Sequence, residues 1–122
     1  MADREFTVDE ANALLPIVRG SLERIRVARQ VILGGGERIR QNAPTNGGGR
    51  EGKEYWEALA TLRRDVEALN GEGIILRDPE SGLIDFPARR NGKEVFLCWR
   101  LGESDVGYWH GPEGGFAGRQ PI

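Results

Sequence analysis

The dipeptide Asn91-Gly92 constrains this chain more than any other feature in it. Asparagine and glycine are the two residues that tolerate the positive φ angles of a type I′ turn. That turn is the two-residue connection whose twist matches a pair of antiparallel strands. Residues 83–90 and 93–101 flank it, so Arg90 must oppose Lys93. Counting back, Ala88 opposes Val95, Phe86 opposes Leu97, Asp85 opposes Cys98 and Ile84 opposes Trp99. Alternate residues of a strand share a face. One face therefore carries Ile84, Phe86, Ala88, Val95, Leu97 and Trp99, wholly apolar, and it must look into the core. The other carries Leu83, Asp85, Pro87, Phe96, Cys98 and Arg100. A slip of one residue would bury Asp85 and Arg100, which fixes the register.

The second face is too apolar to be left bare, so it requires a cover from the C-terminal tail or from a second subunit. Within it Asp85 lies across from Cys98 and diagonal to Arg100, and an Asp85–Arg100 ion pair is expected. Residues 106–110 return as a further strand after the Gly102-Glu-Ser-Asp105 turn. A four-residue type I loop, a common form, sets Trp99 opposite Tyr108 and Leu97 opposite His110, with the histidine on the core side. This even parity is the expected one. There His110 would donate to a backbone carbonyl or to a carboxylate such as Glu10 or Glu67. A three- or five-residue loop reverses the parity and moves His110 beside Asp85 and Cys98. Upstream, residues 73–77 form a short strand candidate, and Asp78-Pro-Glu-Ser-Gly82 reads as a turn.

The N-terminal half is helical. Thr7 and Glu10 form a capping box. Val8, Ala11, Leu15, Val18, Leu22, Ile25 and Ile32 then recur at alternating steps of three and four, a stripe along one helix side with Pro16 as a kink point. Gly34-Gly-Gly36 ends this helix, with at most a ragged turn or two over residues 37–41. Residues 42–52 have the composition of a mobile linker. A second helix covers residues 53–69, with Tyr55, Leu59, Leu62, Val66 and Leu69 in its stripe and Asn70-Gly71 as its left-handed end. Two stripes of matching period make an antiparallel helical hairpin. Glu10, Glu23, Glu54, Glu57 and Glu67 lie beside the seam among Arg24, Arg26, Arg63 and Arg64. No helical histidine accompanies them, so they read as solvated ion pairs rather than a di-metal site or a nucleic-acid stripe.

The predicted fold is therefore α+β: an antiparallel helical hairpin packed on a three- to four-stranded antiparallel meander. The chain of 122 residues is one domain, with the hairpin at about 7–70, the meander at about 73–110 and a glycine-rich tail at 111–122. Leu15, Val18, Leu22, Leu59, Leu62 and Val66 should pack on the apolar sheet face. The composition, 39% hydrophobic and 30% charged with a net charge of −2, is that of a soluble globular domain with no field toward nucleic acid or anionic lipid. No apolar run is long enough to span a membrane, and the charged N-terminus is unlike a signal peptide. One cysteine allows no internal disulfide, so a reducing, cytoplasmic setting is expected.

Phe6-Thr-Val-Asp-Glu-Ala-Asn-Ala-Leu-Leu-Pro16, Gly82-Leu-Ile-Asp-Phe-Pro87, Leu97-Cys-Trp-Arg100, Gly102-Glu103, Tyr108-Trp-His110 and Gly115-Phe-Ala-Gly-Arg119 together resemble the DUF2203 family, bacterial proteins of unknown function. The resemblance runs over nearly the whole chain and implies no activity, substrate or catalytic residue.

Three functional readings follow. Two heptad-like helices and an uncovered sheet face favour a non-catalytic, homodimeric assembly or interaction module. A polar cluster of Asp85, Cys98, Arg100, Glu103 and His110 offers a second reading. Asp85, Cys98, Glu103 and His110 are ligand types that a divalent metal such as zinc accepts, although no cofactor is required by the first reading. Thirdly, Arg100 and Arg119 could clamp a small anionic ligand against Trp99, Tyr108 or Trp109. Gly114-Gly-Phe-Ala-Gly118 lacks the lysine and spacing of a phosphate loop.

Overall fold

Thr7 opens the first helix as its neighbours dictate. The Glu10 N–H donates to Thr7 Oγ1 at 3.0 Å, and the Thr7 N–H donates to Glu10 Oε1 at 2.9 Å. The computed structural model describes residues 4–46 and 49–122. In it α1 (Val8–Asn46) passes through the glycine triplet instead of stopping there, and α2 begins at Gly49 (Gly49–Glu72). Most of the expected linker at 42–52 is thus helix, while residues 47 and 48 lie outside the described residues. Each interior glycine costs a helix only about 1 kcal/mol, and packing against α2 offsets it. Gly35 is buried, and a Cβ added to it would sit 3.9 Å from the Tyr55 ring. A Cβ there would make only ordinary van der Waals contact, so the position packs against Tyr55 of α2 without requiring glycine.

The end of α2 also falls later than expected, at Gly73 and not at Asn70-Gly71. Gly73 has φ 87°. Its N–H donates to the Asn70 carbonyl, and the Ile74 N–H to the Leu69 carbonyl, both at 3.0 Å. This is a Schellman ending, closed by contact between apolar residues on either side of it; Leu69 and Ile74 are both buried.

Five strands follow: β1 (Ile75–Asp78), β2 (Leu83–Arg90), β3 (Lys93–Arg100), β4 (Tyr108–His110) and β5 (Gln120–Pro121). They form one antiparallel sheet in chain order, one strand more than the three or four predicted. The extra strand exists because the tail folds back, setting Pro121 against Tyr108 and Gln120 against Trp109. The β2–β3 register is the one the turn dictates, from Arg90↔Lys93 to Ile84↔Trp99, with Asn91 at φ 54° and Gly92 at φ 79°.

All six apolar residues of the inner face are buried, with Ala11, Leu15, Val18, Leu22 and Ile25 of α1 against them. Burial of each large side chain here stabilises by about 1.5–3 kcal/mol, so a register slip would forfeit several such terms. From α2, Leu69 joins this cluster, and Leu62 and Val66 pack at its margin. Leu59 does not reach it. The buried line of α2 runs instead through Ala58, Asp65 and Leu69. Asp65 accepts both ends of the Arg24 guanidinium, at 3.0 and 2.9 Å. These bonds lower its pKa, against the opposing effect of burial. Phe6 completes the core by donating its N–H to the Pro87 carbonyl at 2.7 Å and meeting the Phe86 ring edge-on at 5.1 Å.

Candidate functional site

The β3–β4 connection decides what the outer face contains. Phe96 opposes His110, Leu97 opposes Trp109 and Cys98 opposes Tyr108. The parity is therefore odd, contrary to expectation, and His110 turns away from the helices toward Asp85 and Cys98. The reason is tertiary. Asn12 of α1 accepts the Val106 N–H at 2.7 Å, and the Ser104 carbonyl accepts from both Arg19 and the Trp99 indole. Val106 is drawn into the core, and the loop lengthens by the residue that flips His110.

Asp85, Cys98 and His110 are each buried, at 1%, 1% and 3% exposure. One ligand-capable atom from each lies within 4.8 Å of the other two. The Nδ1 of His110 is 2.8 Å from the Gly111 carbonyl, which can only accept, so Nδ1 carries a proton. Its Nε2 is 2.9 Å from Asp85 Oδ2, with a proton between them. The same Oδ2 accepts Arg77 Nε at 2.8 Å, whereas Oδ1 is buried and has no hydrogen-bond partner.

Arg77, not Arg100, is thus the cation at Asp85. It reaches the carboxylate from a bulge in β1, where the pairing slips between Leu76 and Asp78, and it also lies over the Phe96 ring at 5.2 Å. Arg100 is exposed and stacks on Phe116 at 4.9 Å. The sequence signal for Arg77 was its place on the edge strand, but the bulge that aims it is invisible without the β1–β2 pairing.

Glu103 does not join the cluster. Arg119 grips it with two bonds, of 3.1 and 2.8 Å, and the Arg100 N–H donates to it at 2.8 Å. Burial works against the charged form of Glu103, but these donors outweigh it and hold the carboxyl below its ordinary pKa. Arg119 lies over both Tyr108 and Phe116 and approaches Cys98 Sγ at 3.9 Å. A guanidinium so engaged is a poor clamp for a free anion. Of the other ligand-wall candidates, Trp99 is fully buried, Trp109 lies half-buried beneath Arg90 and Tyr108 is exposed. The chain's own tail covers the His110 and Cys98 part of the outer face, where a Cβ on Gly114 would stand 3.5 Å from that of His110 and Arg119 approaches the sulfur, while Arg77 lies over Phe96.

Nucleophilic catalysis does not fit this arrangement. Both His110 nitrogens are engaged, by Gly111 and Asp85, so neither is free to take a proton from Cys98. Burial, reinforced by the nearby Asp85 charge, pushes the Cys98 thiol up to about 11. The cluster contains the donors for a cation and lacks the layout for acyl transfer.

A second feature lies at the far end of the hairpin. Past Ile25 and before Leu62 the helices leave the apolar core of the sheet; Arg26 still donates to the Glu80 and Ser81 carbonyls of the β1–β2 turn, and beyond it the described side chains of the hairpin face one another and solvent. Val27, Ala28, Val31 and Ala58 line a shallow trough between them. Val27, in that trough, is 58% exposed, and Leu33 and Trp56, elsewhere on the same arm, are 61% and 67% exposed. No described helix is long and apolar enough to cross a membrane.

Residues 4–122 match a family model described as "Uncharacterized conserved protein (DUF2203)". Among curated proteins and solved structures, none matches the chain.

Proposed function

The chain belongs to the DUF2203 family, whose description assigns no reaction, and from its geometry we propose that it is a self-associating structural module built on the helical hairpin. The observation that carries this reading is the apolar trough on the part of the hairpin beyond the sheet. Two helices alone bury one side of each, and a second hairpin laid across them completes a four-helix arrangement. The occupant that fits is another copy of this chain. Glu54 and Glu57 border one end of the trough; Arg24 and Arg64, with Glu23 among them, border the other. A two-fold antiparallel partner sets each Glu54–Glu57 end over Arg64, Arg24 being already bound to Asp65. The size also suits: an arm about 30 Å long and ~20 Å across approaches the roughly 800 Å² per partner of a stable interface.

Light scattering on the full chain tests it. The expected mass is twice the 13.5 kDa of one chain, reverting to one chain in Val27→Glu with helicity unchanged. A wild-type protein of single-chain mass at tens of micromolar would overturn the reading.

A further inference from the structure

We propose that Asp85, Cys98 and His110 form a binding site for a thiophilic divalent cation, zinc being the expected one, with a carboxylate oxygen, Sγ and Nε2 as the ligand atoms. The site is independent of the hairpin and of any pairing there. Three observations carry it. The three side chains supply the mixed sulfur, nitrogen and oxygen set that zinc accepts and that magnesium or calcium does not, in a buried position with the ligand atoms within 4.8 Å of each other. Asp85 Oδ1 is buried and makes no conventional hydrogen bond, a condition that the neighbouring Cys98 thiol proton or an ion would meet. Finally, His110 is held as a ligating histidine is held: Nδ1–H on the Gly111 carbonyl presents Nε2 to the cluster.

The charges close as well. Binding would expel two protons, one from Cys98 Sγ and one from between Nε2 and Oδ2, as one doubly charged cation enters. The buried pocket keeps the same net charge, so no new charge is desolvated. Arg77 stays on Oδ2 as a positioning residue and leaves Oδ1 to the metal. Arg119, neutralised by Glu103, stands beside the sulfur. Bonds of about 2.0–2.3 Å require the three side chains to close on one another modestly. The fourth tetrahedral position falls to water.

The test is titration of metal-stripped, tag-free full-length protein with Co²⁺, followed by displacement with Zn²⁺. One equivalent of cobalt should give a thiolate-to-cobalt charge-transfer band and tetrahedral d–d bands, abolished by zinc. The band should be lost in Cys98→Ser, and the affinity should drop at least about tenfold in Asp85→Asn, which keeps the shape of the side chain. His110→Gln adds a third arm, and circular dichroism confirms which variants are folded. Failure of folded wild-type protein to develop the band overturns the proposal. So does a band that survives in Cys98→Ser. If His110→Gln or Asp85→Asn is unfolded, the wild-type titration and Cys98→Ser decide alone.

Discussion

Replacing Asp85 with alanine would strand two donors of unequal exposure. His110 Nε2 is buried and has no other partner, whereas the Arg77 side chain is 44% exposed and can turn to water. Asp85→Ala should therefore cost about 2–4 kcal/mol, mostly on the histidine side, and Arg77→Ala under about 1 kcal/mol. Urea midpoints measured on both variants check the ratio; equal losses would show that the arginine is the dominant partner. Glu103 gives a pH-dependent counterpart. Its folded pKa is depressed, so it contributes stability that is present above the unfolded value of about 4.3 and is lost as pH falls through the folded one. Glu103→Gln should be less stable than wild type at neutral pH, and the gap should shrink in acid. Cys98 adds a readout of burial: with its thiol pushed up to about 11, alkylation at neutral pH should be slow in the native protein and fast in denaturant.

At the scale of elements, legibility tracked how local the determining contacts are. The β2–β3 hairpin was readable because two residues, Asn91 and Gly92, set its turn and the alternating pattern confirmed it. The Thr7–Glu10 cap was readable for the same reason. The β3–β4 parity was not, because it depends on Asn12, 94 residues from Val106. The glycines of α1 misled because a loop-like composition was outweighed by packing on Tyr55, and Asp65 escaped notice because its partner Arg24 lies on the other helix. All three members of the buried cluster were legible as candidates, but their convergence, and the roles of Arg77 and Glu103, waited on that one loop. Asn12→Ala tests the account. It leaves the Val106 N–H in a buried position without its acceptor and should cost about 1–3 kcal/mol. Amide exchange should speed up at Val106 and along β4, and hardly at all in the β2–β3 turn. Uniform acceleration across the sheet would mean that the loop is not a separate unit.

On the scale of the whole molecule, the two ends are stabilised by different means. The sheet end encloses an apolar core between the helices and β1–β4 and covers the His110 and Cys98 part of its outer face with the C-terminal tail. The hairpin end has no layer beneath it among the described residues and exposes Val27, Leu33 and Trp56. If that end is completed by a second copy, folding and association are coupled, and stability becomes a function of concentration. Apparent unfolding free energy should then rise by about 1.4 kcal/mol for each tenfold increase in protein. Val27→Glu places a charge in the paired surface while leaving the sheet core untouched, so its denaturation midpoint should not move with concentration. At low concentration wild type and variant should converge, since both are then single chains. A wild-type midpoint that stays fixed over a hundredfold range of concentration would show that the arm is stable unpaired, and that its exposed apolar residues are no interface between copies.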